Sequence, residues 1–213
     1  MGVEPASIAV GGKPDMAKRT ETIMSEPDTR SQLLDVALEL VQTRGYNAFS
    51  FHDLADRVGI KTASIHYHFR TKGDLGLTLV KRHRQAFAKA FASIDASAPD
   101  PWERLRRYAG LFRATLEDGH RMCLAGMLAI EYQTLPPNLV GEVRGLFDDN
   151  ERWLTSTLKA GRKAGVIMFD RPAAEVARTL FAALEGAMLS ACAFDDFDRF
   201  DTAAAWLLAQ FKA

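Results

Sequence analysis

Residues 50–75 read Ser-Phe-His-Asp-Leu-Ala-Asp-Arg-Val-Gly-Ile-Lys-Thr-Ala-Ser-Ile-His-Tyr-His-Phe-Arg-Thr-Lys-Gly-Asp-Leu. Ser50 is placed to cap a short helix with Asp53 at its third position, and Phe49 before the cap can close against Leu54 inside. Leu54, Ala55 and Val58 fall on one face. Gly59 supplies the left-handed residue that a tight turn requires, and Ile60 plugs the core beneath it. A second short helix follows at once, with Ile65 and Phe69 inward and a polar face carrying His66, Tyr67 and His68. Two short helices joined by such a turn form a helix-turn-helix, whose second helix enters the DNA major groove.

Working outward, Thr29 and Gln32 have the spacing of a capping box, which predicts a helix from there to Gly45 with Leu34, Ala37, Leu38 and Val41 as its apolar stripe. Thr71 is placed to cap a fourth helix through Leu75, Leu79, Val80, Phe87 and Phe91 to about residue 95. No proline occurs between Pro27 and Pro99; Pro99 and Pro101 then break the chain. Beyond them, Pro136-Pro137, Gly165 and Pro172 punctuate helices expected near 101–118, 122–133, 138–164, 172–193 and 200–212. Nothing alternates as a strand and nothing repeats. The prediction is an all-α protein of about nine helices: a tail over 1–27, a helix-turn-helix domain over 28–75, a connecting helix over 76–98 and a second helical domain over 99–213.

The 213 residues carry 27 basic and 27 acidic side chains, a net charge of zero. The balance is uneven along the chain. Residues 28–92 hold ten Lys/Arg against six Asp/Glu, whereas residues 93–213 hold fourteen against seventeen. The positive excess lies at the helix-turn-helix end, where phosphates would be met. There is no run of about 18 apolar residues and no signal-like block over 1–27, so a cytoplasmic protein off the membrane is expected. Two cysteines, Cys123 and Cys192, fit a reducing compartment. Five scattered histidines, no metal-ligand spacing, no phosphate loop and no nucleophile elbow argue against an enzyme and against a cofactor.

From residue 29 to about 80 the chain resembles the tetracycline-repressor (TetR/AcrR) family of bacterial regulators. The likeness rests on Gly45-Tyr46, Ser50 with Leu54-Ala55, Val58-Gly59-Ile60, and Ser64-Ile65-His66-Tyr67-His68-Phe69 followed by Lys72 and Leu75. Two positions depart from it: His66 stands where the family usually has tyrosine, and Lys61-Thr62-Ala63 where Ser-Lys-Gly is common, so no base preference carries over. The resemblance implies an N-terminal DNA-binding domain of three helices, a linking fourth helix, and a helical C-terminal domain that binds a small molecule and forms a homodimer.

For DNA, the outward positions of the third helix are Thr62, Ala63, His66 and Tyr67, with Ser64 beside them. Thr62, Ala63 and His66 suit base edges, and Lys61 suits guanine or a phosphate. By family position Tyr67, His68 and Lys72 hold the backbone, joined by the Ser50 hydroxyl at a helix N-terminus. His52 and His83 read as solvated. For a ligand, expected to be apolar or aromatic, the candidate lining is Trp102, Leu111, Phe112, Leu116, Cys123, Met127, Tyr132, Trp153 and Phe181, all of them equally good core residues. For a dimer, Val176, Leu180, Leu184 and Met188 form a stripe among many small residues, and long helices at 138–164 and 172–193 are the ones the resemblance assigns to pairing.

The expected function is a homodimeric, sequence-specific repressor released from operator DNA by a small hydrophobic inducer. Two alternatives stay open. Cys123 follows His120 and Arg121 at a helix start, a setting that favours a thiolate and an electrophile- or redox-sensing repressor. The other is a helical interaction module that no longer binds DNA.

Overall fold

The computed structural model describes residues 28–213; the tail expected over 1–27 lies outside them. The described chain folds into nine α-helices: α1 Thr29–Arg44, α2 Phe51–Val58, α3 Thr62–His68, α4 Lys72–Ser97, α5 Pro101–Glu117, α6 Leu124–Ile130, α7 Pro137–Ala164, α8 Ala173–Phe194 and α9 Asp198–Ala209, with a 3-10 turn at Tyr132–Thr134 between α6 and α7. An isolated bridge between Ile167 and Lys212 pins the C-terminus, and no strand forms among the described residues.

Most helix ends follow local chemistry. Ser50 and Thr71 each complete a capping box, with Asp53 and Asp74 returning the bond to the cap amide. Asp100 accepts from the Trp102 amide at 3.0 Å ahead of Pro101, the first residue of α5. Of the caps expected from sequence, the one that does not form is that of α1. Asp28, not Thr29, occupies the cap, because its carbonyl takes the Ser31 and Gln32 amides at 2.7 and 3.0 Å. Thr29 is already helical and the Thr-x-x-Gln box does not form. The buried face of α1 is correspondingly Leu33, Leu34, Ala37, Leu40 and Val41, with Leu38 on its flank.

Helices α1 to α3 enclose Leu33, Leu40, Leu54, Ile65 and Phe69. The 26-residue α4 leaves this unit and lies along α7. There Arg84 forks between Glu142 and Asp149 at 2.6 and 2.7 Å, over Gly145, where a Cβ would stand 2.5 Å from the guanidinium. The body is α5, α7, α8 and α9 around Tyr108, Phe112, Leu180, Leu184 and Phe200. Of the described helices, α8 alone is long and apolar enough by composition to cross a membrane. Leu180, Leu184, Met188 and Ala191 are fully buried against its neighbours, as in the central helix of a bundle.

Candidate nucleic-acid interface and ligand cavity

The turn from α2 to α3 is set by Gly59 at φ 77° and ψ 32°, and the Ile60 amide donates back to the Ala55 carbonyl at 3.1 Å. Ile65 and Phe69, 0% and 2% exposed, seat α3 on the core. The outer face therefore presents Ala63, Ser64, His66 and Tyr67 after an exposed Lys61, with Thr62 and His68 half-buried at its edges. Tyr67 is 87% exposed, the barest large side chain on the apolar scale among the described residues. His66 packs edge-on against Phe51 at 5.1 Å, and its Nδ1 lies 3.3 Å from the Arg70 carbonyl, which leaves Nε2 for a partner.

Two of the expected phosphate contacts are placed differently. The Ser50 hydroxyl donates to Asp53 Oδ2 at 2.5 Å, so its chemistry serves the cap. Lys72 points inward. Its Nζ donates to the Phe49 carbonyl and lies 4.7 Å and 4.2 Å from the ring centres of Tyr46 and Phe49. Burial holds its pKa below the usual lysine value. Lysine at the first position of α4 reaches back because two electron-rich ring faces and a free carbonyl lie within its length. Tyr46 sits tightly in the same turn: a Cβ on Gly76 would come within 2.9 Å of its ring. Burial and the charge of Glu131 push its hydroxyl up to about 12.

Helix α6 is tied at its start to α1 and at its end to the turn that follows α1. Ahead of it, Gln42 Nε2 donates to the Met122 carbonyl at 2.9 Å while the Met122 amide donates to the Gln42 carbonyl at 3.1 Å. At its far end, Glu131 accepts from the amides of Tyr46 and Asn47 at 2.6 and 3.1 Å, and Asn47 Nδ2 donates to Thr134 Oγ1 at 2.7 Å. Seven helical residues thus bridge the helical body to the turn that positions α2.

A narrow cavity with room for about one water molecule lies against the same helix, lined by Gln42, His83, Phe87, Leu111, Phe112, Thr115, Cys123, Leu124 and Met188. Leu111, Phe112 and Cys123 were expected there. Of the other expected residues, Leu116 and Phe181 are buried in the core. Trp153 stacks on Phe91 and Tyr108 and donates to Asp95. Tyr132 pairs with Arg144, and Trp102 and Met127 pack at the core's edge. His83 is not the solvated residue expected: burial, helped by the charge of Arg82, lowers its pKa to about 4, so it is neutral at physiological pH.

Cys123 precedes α6 as its cap. The flanking cations expected to activate it are engaged elsewhere, His120 with Asp195 at 2.6 Å and Arg121 with Asp118 at 2.6 Å. Burial and the neighbouring Glu185 push the thiol well above its ordinary value, opposite to the thiolate expected from sequence. Burial in turn raises Glu185 to about 7.

The stripe Val176, Leu180, Leu184 and Met188, read from sequence as a dimer face, lies inside the chain at 7%, 0%, 0% and 0% exposure. Their period of four turns them toward α5, α7 and α9, which already fill that space. The opposite face of α8 carries Ala182, Gly186 and Leu189, with Trp206 exposed on α9.

Comparison with known proteins covers both halves of the chain. Residues 33–77 match the model described as bacterial regulatory proteins, tetR family, and residues 101–207 the tetracyclin repressor-like C-terminal domain. A solved TetR-family regulator from Agrobacterium tumefaciens superposes with a TM-score of 0.84 and 35% identity, covering 87% of this chain and 98% of that one. The transcriptional regulator AcuR of Cereibacter sphaeroides is 26% identical over 75% of this chain and 74% of its own length. The repressor NemR of Escherichia coli is 24% identical over 85% and 92%.

Proposed function

From the premise that this chain belongs to the tetracycline-repressor family and is a DNA-binding transcriptional regulator, we propose that it acts as a homodimeric repressor whose grip on operator DNA is released by a small ligand in the α5–α8 body. Residues 28–75 form the reading head, α4 the connector, and residues 99–213 the sensing and pairing body. Tyr67, His66, Ala63 and Lys61 are the DNA-facing set, Tyr67 toward the sugar-phosphate strand and His66 toward base edges.

The observation that carries the reading is the double attachment of α6. Its start borders the cavity through Cys123 and Leu124, and its two ends hold α1 and the Tyr46-Asn47 turn. A ligand that widens the cavity displaces α6 and with it the head. Two heads read two half-sites only at a separation of about 34–36 Å or a multiple, so a small tilt suffices. The ligand must favour the tilted form, or it shifts nothing.

For pairing, the outer face of α8 with Ala182, Gly186 and Leu189, together with Trp206, suits close contact between two copies. Thiol sensing is less favoured, because Cys123 is held protonated. Partition on random duplexes, followed by anisotropy on the selected site, tests the proposal: a two-fold symmetric site bound by two chains supports it, and the absence of any enriched sequence contradicts it.

A further inference from the structure

Glu185 is the one carboxylate among the described residues whose two oxygens are both buried with no hydrogen bond of good geometry, and the one group within reach of it is the Cys123 thiol, a weak donor. It lies on the same face of α8 as Phe181 and Met188, and Met188 lines the cavity. A Cβ on Gly126 would stand 2.5 Å from Oε2, so glycine in the first turn of α6 is what makes room for the carboxyl group. The titratable groups around it are acids: Tyr108 from α5 and Cys123 from α6, with Glu151 of α7 beyond Tyr108. The cavity lining holds no lysine or arginine, and its one histidine, His83, is neutral. A buried carboxylate is ordinarily paired with a strong donor or a cation, and one met only by a thiol marks a place where such a partner is missing.

We propose that Glu185, behind the Cys123 and Met188 wall of the cavity, anchors a cationic ligand, an organic amine or quaternary ammonium compound that widens the cavity as it enters, pairs with the carboxylate and lays its alkyl groups against Phe87 and Phe112. The inference rests on the reading of this cavity as the effector site. Aromatic faces and a desolvated carboxylate together select positive charge over a neutral molecule of the same shape. The Cys123 thiol borders both the cavity and the carboxylate, so it turns aside as the ammonium arrives. At pH values below about 7 the carboxyl group is largely protonated. A cation binding there expels that proton.

The test uses choline and its uncharged counterpart of the same shape, 3,3-dimethylbutan-1-ol, titrated calorimetrically into the full chain. Choline is expected to bind at least about tenfold more tightly at about pH 7.5. Near pH 6 its heat should depend on the buffer's ionisation enthalpy, reporting proton release. Glu185→Gln should erase the preference, and Gly126→Ala should weaken it by displacing the carboxylate. Equal affinities, no choline binding, or a preference that survives Glu185→Gln overturns the proposal. DNA binding by the unliganded chain is measured alongside. A chain that binds DNA and ignores choline overturns this inference alone; one that binds neither overturns the regulatory reading as well.

Discussion

Glu131 accepts hydrogen bonds from the backbone amides of Tyr46 at 2.6 Å and Asn47 at 3.1 Å, so a carboxylate at the end of α6 holds the turn that launches α2. The same turn is gripped from α4 by Lys72. The turn is therefore held at once from α6 of the body and from the start of the connecting helix α4, and the two contacts share Tyr46.

Removing the α6 contact should loosen this coupling without unfolding the chain. Glu131→Ala is expected to cost about 1–2 kcal/mol in denaturant unfolding, since a bond to a charged acceptor is lost while water replaces part of it. Glu131→Gln, which keeps one acceptor oxygen, should cost less. Both variants should bind operator yet release it less completely when ligand is added. Unchanged stability together with unchanged release would remove Glu131 from the transmission route.

Lys72→Ala should lower stability by about 1–2 kcal/mol, because the ammonium lies over two rings and bonds a carbonyl. DNA affinity should fall alike on all sequences. A purely phosphate-binding lysine would instead leave the melting curve intact and reduce the salt slope by about one.

His66→Ala should leave stability within about 0.5 kcal/mol, as expected of an exposed position, and relax preference at one or two base pairs by about 1–3 kcal/mol. Tyr67→Ala should weaken every site about equally. Sequence selection on both variants separates the two roles, and a Tyr67→Ala effect confined to one base pair would reassign that side chain to base reading.

Stability should depend on pH through two opposing groups. Glu185 has a folded pKa of about 7, above its unfolded value, so its contribution is fully present at low pH and is lost as pH rises through about 7. His83, lowered to about 4, contributes stability present above about pH 6.5 and lost as pH falls toward 4. Each spans about 3 kcal/mol, so the two slopes largely cancel between about pH 4.5 and 6.5. Relative to wild type, Glu185→Gln should give a curve that climbs with pH across that window and sits higher near pH 8. A difference curve without slope would show that Glu185 titrates normally.

Gly186→Arg tests the proposed pairing through the outer face of α8 and should leave the chain monomeric. Its Cβ position faces open space, so the variant folds as a monomer, yet an arginine stands where two helices must approach. Sedimentation should report half the wild-type mass, and operator affinity should fall by orders of magnitude. A dimeric Gly186→Arg protein moves the interface away from the outer face of α8.

The fold was legible because its signals are local. Gly59, the capping boxes at Ser50 and Thr71, and the prolines at 101 and 137 act within a few residues, and the helices begin and end where they direct. The face of α3 followed from Ile65 and Phe69 alone. Direction over distance was not legible. A stripe of Val176, Leu180, Leu184 and Met188 reads the same whether it meets a second copy or the chain's own α5 and α7. Lys72 read as a free cation because Tyr46 and Phe49 stand 26 and 23 residues before it in the sequence and meet it only in the fold. Glu185 has a local sign in the sequence, as the single acidic residue between Val176 and Phe194, but the sequence does not show that it is buried.

The central claim is met most directly by fluorescence anisotropy of a labelled duplex carrying the selected site, titrated with this chain at low salt and at physiological salt. The account predicts saturation at two chains per duplex, an affinity that falls steeply with salt, and a large loss for Tyr67→Ala. Saturation at one chain, or no change in anisotropy even at low salt, would contradict it.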